Sequence, residues 1–178
     1  MPLPRGQELF LLMEAATQQE LLARMAFHDV AHRCLWRAGD LHGMETRAPW
    51  LAQVESGSRF DEWAGGARES LAFTLIPASL SFDGLWRHLR RFAKFEADGR
   101  RYFLRLGDPG SLRMYTASLA AQPDAVTRFF ARGDIQQYYF HDPCAGLARL
   151  VRPVFESGVD ADERDGCLVW RDVPREAA

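Results

Sequence analysis

At 178 residues, with 47% hydrophobic and 26% charged content, the chain suits one domain that buries roughly two-thirds of its surface and is too apolar for intrinsic disorder. A formal charge of −2 gives no global field favouring nucleic acid or an anionic membrane, so charged recognition must be local. The first ten residues lack the basic start and apolar run of a secretory signal. No stretch approaches the ~20 apolar residues of a membrane span, so a cytoplasmic location without a membrane partner is expected.

In chain order, Glu8 to Met13 is apolar after its first residue, the pattern of a strand covered on both faces. Thr17-Gln18-Gln19-Glu20 has the form of a capping box before a helix whose apolar face is Leu21, Leu22 and Met25. Cys34 to Trp36 and Trp50 to Val54 read as short strands. Phe60 and Trp63 anchor a short helix ending at Gly65-Gly66. Leu71 to Ile76, bounded by Pro77, is a further strand. Ser81 or Asp83 then caps a helix with Leu85, Leu89 and Phe92 on one face and Arg87, Arg90, Arg91 and Lys94 on the other.

Asp98-Gly99 predicts a turn into a strand from Tyr102 to Leu106, and Asp108-Pro109 opens a helix carrying Leu112, Tyr115 and Leu119 on one side. Pro123-Asp124 begins another, containing Val126, Phe129 and Phe130. Beyond Gly133 the pattern predicts a strand from Ile135 to Phe140, a short helix near Leu147 to Val151, a strand from Cys167 to Trp170, and a frayed tail after Pro174. Strands alternating with helices imply an α/β fold, a mixed or parallel sheet flanked by helices. Residues 1–132 form its core, and residues 133–178 a smaller, more variable C-terminal lobe packed on that core.

Two patterns invite a catalytic reading. His28-Asp29-Val30-Ala31-His32 would place two imidazoles on one helical face, as zinc proteases do. Asp29 stands where the general-base glutamate is needed, however, and no third ligand has a usual spacing. His141-Asp142 beside Cys144 brings a thiol near an imidazole, but a nucleophile needs a separately oriented base, so Cys144 reads as a core cysteine. Cys34 and Cys167, without a CxxC pattern, read likewise as buried reduced thiols. No nucleophile elbow, phosphate loop or dinucleotide fingerprint occurs, so no catalytic residue, metal or cofactor is expected. The rival reading is a small metal-dependent or cysteine hydrolase using His28, His32, His141 or Cys144.

Arg87, Arg90, Arg91, Lys94, Arg100, Arg101, Arg105 and Arg113, partly offset by Glu96, Asp98 and Asp108, form the strongest charge feature. They make either a basic patch or a solvated face with structural ion pairs. A nucleic-acid binder is the other rival, set against an acidic overall charge and the absence of a stacking-aromatic motif; no nucleic-acid partner is expected.

Three ordered segments carry a resemblance. They are Ala48-Pro49-Trp50-Leu51; the strand and helix from Leu75 to Phe92, with Ser79, Leu85, His88, Leu89 and Arg90; and Arg105-Leu106-Gly107-Asp108-Pro109 followed by Leu112. Together they resemble the adaptor chaperones of bacterial type VI secretion, a family once catalogued only as a domain of unknown function. The likeness spans roughly Leu9 to Phe130 and departs from the family at Leu106-Gly107, where bulkier, often aromatic residues are usual. The motif residues Pro49, Trp50, Ser79, Leu89, Arg105, Asp108 and Pro109 read mainly as structural. Pro49-Trp50 fixes a strand start and buries an indole, and Arg105 pairs with or orients Asp108.

The resemblance implies an adaptor, not an enzyme, that binds a cognate toxic effector and promotes its loading onto the secretion spike, a VgrG-type (valine-glycine repeat) protein. Trp86, Arg87, Arg90 and Arg91 are the candidate partner contacts on the helix, since tryptophan and arginine often dominate interfaces. Tyr138 and Tyr139, followed by Phe140, put an aromatic on both faces of a strand; either one face is exposed for recognition or a central strand buries both. Acidic residues from Glu156 to Asp165 complement a basic effector or keep a loop solvated.

Overall fold

An unbroken apolar run needs cover on both sides, and the first strand has it. In this computed structural model, which describes residues 6–17, 20–36, 43–154 and 163–174, β1 (Glu8–Glu14) is an interior strand. Phe10 and Leu12 enter one core, while Leu11 and Met13 enter a second on the opposite face. The chain continues through α1 (Leu21–Phe27), β2 (His32–Cys34), β3 (Pro49–Val54), α2 (Arg59–Gly66), β4 (Phe73–Ala78) and α3 (Phe82–Arg90). A hairpin of β5 (Lys94–Ala97) and β6 (Arg100–Phe103) follows, then α4 (Pro109–Ser118) and α5 (Pro123–Phe129). The last strands are β7 (Tyr138–Asp142), β8 (Leu147–Pro153), β9 (Arg164–Asp165) and β10 (Leu168–Asp172).

Among the described residues, eight strands form one sheet in the order β2-β3-β1-β4-β7-β8-β10-β9, and every neighbouring pair is antiparallel. The expected mixed or parallel sheet is therefore wrong. The connection through α1 passes over β3, and the one through α2 passes over β1. β1 and β2, and likewise β3 and β4, thus run the same way without being neighbours. Within residues 133–178, β7 pairs with Phe73 to Leu75 of β4 and the last four strands extend the same sheet.

The helix expected near Leu147 to Val151 is strand β8. Val151 faces the core that holds Trp170, while Ala148 and Leu150 face the other, an alternation that only a strand supplies. Asp142 sets the preceding turn, its Oδ1 accepting from the amides of Cys144 (3.0 Å) and Ala145 (3.2 Å). Pro77 lies inside β4 instead of bounding it; pairing with β7 stops at Leu75, so the missing N–H interrupts no ladder there. Asp98 and Gly99 turn the β5–β6 hairpin with φ of 52° and 70°, and the strand after them ends at Phe103.

Helices cover both faces. Leu85 and Leu89 of α3, Leu112 of α4, and Val126 and Phe129 of α5 join Phe10, Ile76, Tyr138 and Phe140 in one core. Leu21 and Met25 of α1 and Phe60 of α2 close the other against Leu11, Met13 and Tyr139. Ser58, Ser81 and Asp108 cap α2, α3 and α4 through side-chain oxygens. By contrast, α1 starts after Glu20 with no side-chain cap, and Glu20 pairs with Arg24 at 3.0 Å; Gln18 and Gln19 of the expected capping box lie outside the described residues. So do 155–162, which hold most of the acidic run, and the tail from 175. Among the described residues no helix is long and apolar enough to cross a membrane.

Candidate protein-docking surface

Leu85, His88 and Leu89 turn inward on α3, which leaves Arg87 and Arg91 on one flank and Trp86, Arg90 and Lys94 on the other. The basic stretch read from the sequence is thereby split into two environments.

On the first flank a groove of about 820 Å³ runs between α3 and α5. Arg87 and Arg91 line one wall, Arg128 of α5 and Arg132 of the turn after it line the other, and Leu80, Phe92, Tyr115 and Ala125 add apolar surface. None of these four arginines makes an ion pair with another described residue. Asp134, the one carboxylate lining the groove among the described residues, accepts from the Ser79 hydroxyl at 3.0 Å. His88 lies buried beneath, with Nε2 3.0 Å from the Phe129 carbonyl oxygen. Burial pushes its imidazole below the ordinary histidine value, so the neutral ring donates to that carbonyl.

The turn that carries Arg132 is backbone-strained. Ala131 and Arg132 hold φ of 50° and 58°, a region that costs a residue with a Cβ about 1 kcal/mol or more. Ser79 secures the turn, its amide donating to the Asp134 carbonyl at 2.9 Å beside the hydroxyl contact.

On the second flank, Trp86 is half-buried and its Nε1 donates to the Cys34 carbonyl at 2.8 Å. The guanidinium carbons of Arg90 and Arg33 lie 4.3 and 4.9 Å from its ring centre, and Arg33 also pairs with Asp83 at 2.8 Å. Beside this stack is a mainly apolar cavity of about 490 Å³, lined by Leu35, Trp36, Met44, Arg90, Ala93, Lys94 and Phe103. Phe103 and Met44 at its mouth are 63% and 42% exposed, unusual for side chains of that size.

The remaining patch residues go elsewhere. Arg105 is tied to Glu14 at 2.7 Å, with the expected partner Asp108 more distant at 3.8 Å. Asp108 serves chiefly as the α4 cap, accepting from the Ser111 amide at 2.6 Å, and Pro109 is buried at the first helical position. Arg100 and Arg101 sit on β6, and Arg113 on α4. Gly107 explains why this loop departs from the resemblance: a Cβ there would stand 2.7 Å from the Met13 carbonyl oxygen, so the chain passes directly over β1. Pro49 opens β3 and is buried, Trp50 is half-buried with Nε1 donating to the Glu45 carbonyl at 3.0 Å, and Leu89 is wholly buried.

Tyr138 and Tyr139 do not reach this surface. A central strand buries both, at 0% and 8% exposure, so the exposed recognition face is not found. Tyr138 stacks on Phe129 and donates to its carbonyl at 3.1 Å, while the Tyr139 hydroxyl meets His141 Nδ1 at 3.3 Å on the other face.

The catalytic patterns also disperse. α1 ends at Phe27, Asp29 takes φ of 52°, and His32 belongs to β2, so His28 and His32 share no helical face. Among the described residues no group of three or more His, Cys, Asp or Glu side chains could hold a metal ion. His141 is buried, with Nε2 2.7 Å from the Arg68 carbonyl oxygen, whereas Cys144 is exposed in the β7–β8 turn and not in the core. Cys34 is buried, where desolvation pushes its thiol up, and Cys167 is half-buried; all three cysteines are free.

Helices on both faces of an antiparallel sheet, with concavities of unlike chemistry on the two flanks of α3, define a three-layer α/β domain. The chain belongs to the family described as Domain of unknown function (DUF4123), whose model matches residues 9–124. No curated protein and no solved structure matches it. Arg87 and Arg91 fall inside the matched span, whereas Arg128 and Arg132 fall beyond it. Sequence reasoning missed this second pair, because Arg128 lies near the end of α5 and Arg132 in the left-handed turn beyond it, so no helical spacing ties the two.

Proposed function

We propose that the protein is an adaptor chaperone of type VI secretion, binding a cognate toxic effector and promoting its loading onto a VgrG-type spike protein. It acts by binding and not by catalysis, within the producing cell. Family membership over residues 9–124 and the three motif segments support this reading. The observation that carries it is the pair of unlike concavities on the two flanks of α3, since joining two proteins takes two separable sites.

Co-purification of the tagged chain from its native cytosol tests it. Wild type is expected to recover a spike protein and a toxin-like partner. R87E/R91E is expected to lose one of them, and Phe103→Ser the other, with both variants folded. Recovery of neither partner from cells shown to express both overturns the adaptor reading.

A further inference from the structure

We propose that the groove between α3 and α5 receives an acidic, amphipathic segment of a partner protein, its carboxylates on the four arginines and an apolar side chain against Leu80 and Phe92. This names the partner chemistry of one of the two sites above and rests on the adaptor reading for the partner's identity.

Three independent features converge on the groove. Elsewhere in the fold Arg24, Arg33, Arg105 and Arg149 have carboxylate partners, while others such as Arg47 and Arg113 stand singly without one among the described residues; the groove differs in gathering four arginines on one concavity. The four in the groove have none among the described residues, and they face a single carboxylate that Ser79 already engages. Like charges held close together repel, an arrangement relieved when carboxylates arrive from outside. Arg132 is presented by left-handed backbone that an arginine adopts only at a steric cost, with Gly133 next to it. A residue kept where glycine would be easier marks a position serving something other than stability. The apolar surface from Leu80, Phe92 and Ala125 then selects among anions: a bare phosphate chain would leave it uncovered, whereas a segment alternating carboxylates with a leucine-like side chain covers it.

The groove also crosses the limit of the family match. Arg87 and Arg91 supply a basic wall within the matched residues, while Arg128 and Arg132 lie outside them and set this chain's own complement to its partner.

The test is fluorescence anisotropy with a labelled peptide of alternating glutamate and leucine, the same peptide with glutamine for glutamate, and a labelled single-stranded oligonucleotide. The glutamate peptide is expected to bind, the glutamine peptide not, and R128E/R132E to weaken binding by about tenfold or more. Arg132→Gly separates binding from folding: it relieves the backbone strain, so the Tm rises while peptide affinity falls. Equal binding of both peptides, affinity unchanged in R128E/R132E, or tighter binding of the oligonucleotide at the same salt overturns the proposal. If co-purification yields spike and effector but the glutamate peptide does not bind, this inference fails and the adaptor reading stands. If the peptide binds through the arginines while the cytosol yields neither partner, the converse holds.

Discussion

Arginine does opposite work in two regions of this molecule. At the end of β1, Arg105 closes onto Glu14 and Asp108, and the loop bearing it lies so near the strand that only glycine fits at position 107. Across α3 and α5, four arginines stand over an apolar floor without an acidic partner among the described residues. Arg105 and two of the four groove arginines, Arg87 and Arg91, belong to the stretch that reads as one basic patch. The side chain's identity does not separate structural from available charge; the carboxylates that the fold delivers to it do.

The comparison breaks most severely beneath the groove. Phe129 packs on Phe92, Tyr115 and Tyr138, and its carbonyl accepts from His88 and Tyr138. Phe129→Ala is expected to cost about 3–5 kcal/mol in urea unfolding and to abolish groove binding by collapse of its floor. Gly107→Ala drives a methyl group into the Met13 backbone and is expected to cost about 1–3 kcal/mol without altering groove affinity in the folded protein. Arg105→Met is expected to cost about 1 kcal/mol, at the low end for a charged pair because the arginine side chain is 61% exposed.

His88 sharpens the comparison through pH. Its folded-state affinity for a proton is lowered by burial, with Arg91 adding to the effect and Asp134 opposing it. The unfolded chain therefore binds the proton first as pH falls below about 6.5. The stability that His88 confers is complete above that value and declines as pH drops toward the folded-state value. Urea midpoints measured down through this window should fall for wild type and flatten for His88→Gln, whose amide still donates to Phe129. The smallest effect on stability belongs to the groove itself: Arg87→Ala and Arg91→Ala should each change unfolding free energy by no more than about 0.5 kcal/mol while weakening binding of an acidic peptide.

Much of the fold was legible wherever short-range physics decides it. The doubly covered pattern of β1, the serine and aspartate caps of α3 and α4, and the Asp98-Gly99 turn all depend on residues a few positions apart. Sheet direction was not legible, because a strand–helix–strand unit implies parallel neighbours only when the two strands become neighbours. Here β3 and β1 each intervene. β8 was misread because Leu147, Leu150 and Val151 fit one turn of helix as well as they fit a strand, and only pairing with β7 and β10 decides between them. Half of the groove was visible as Arg87 and Arg91; Arg128 and Arg132 joined them only through packing of α5 beside α3. Tyr138 and Tyr139 looked available because an aromatic run does not reveal that both faces of its sheet are roofed.

The shortness of the outermost strands limits how another protein can attach. Among the described residues the sheet ends in β2, three residues long, and β9, two residues long. Such borders offer too few free backbone groups to template an added strand, which also guards the chain against edge-to-edge aggregation. Under the adaptor reading proposed above, a visitor is read by side chains across a helical surface, and exchanging one cargo for another takes changes at a few exposed positions while the hydrogen-bonded framework stays as it is.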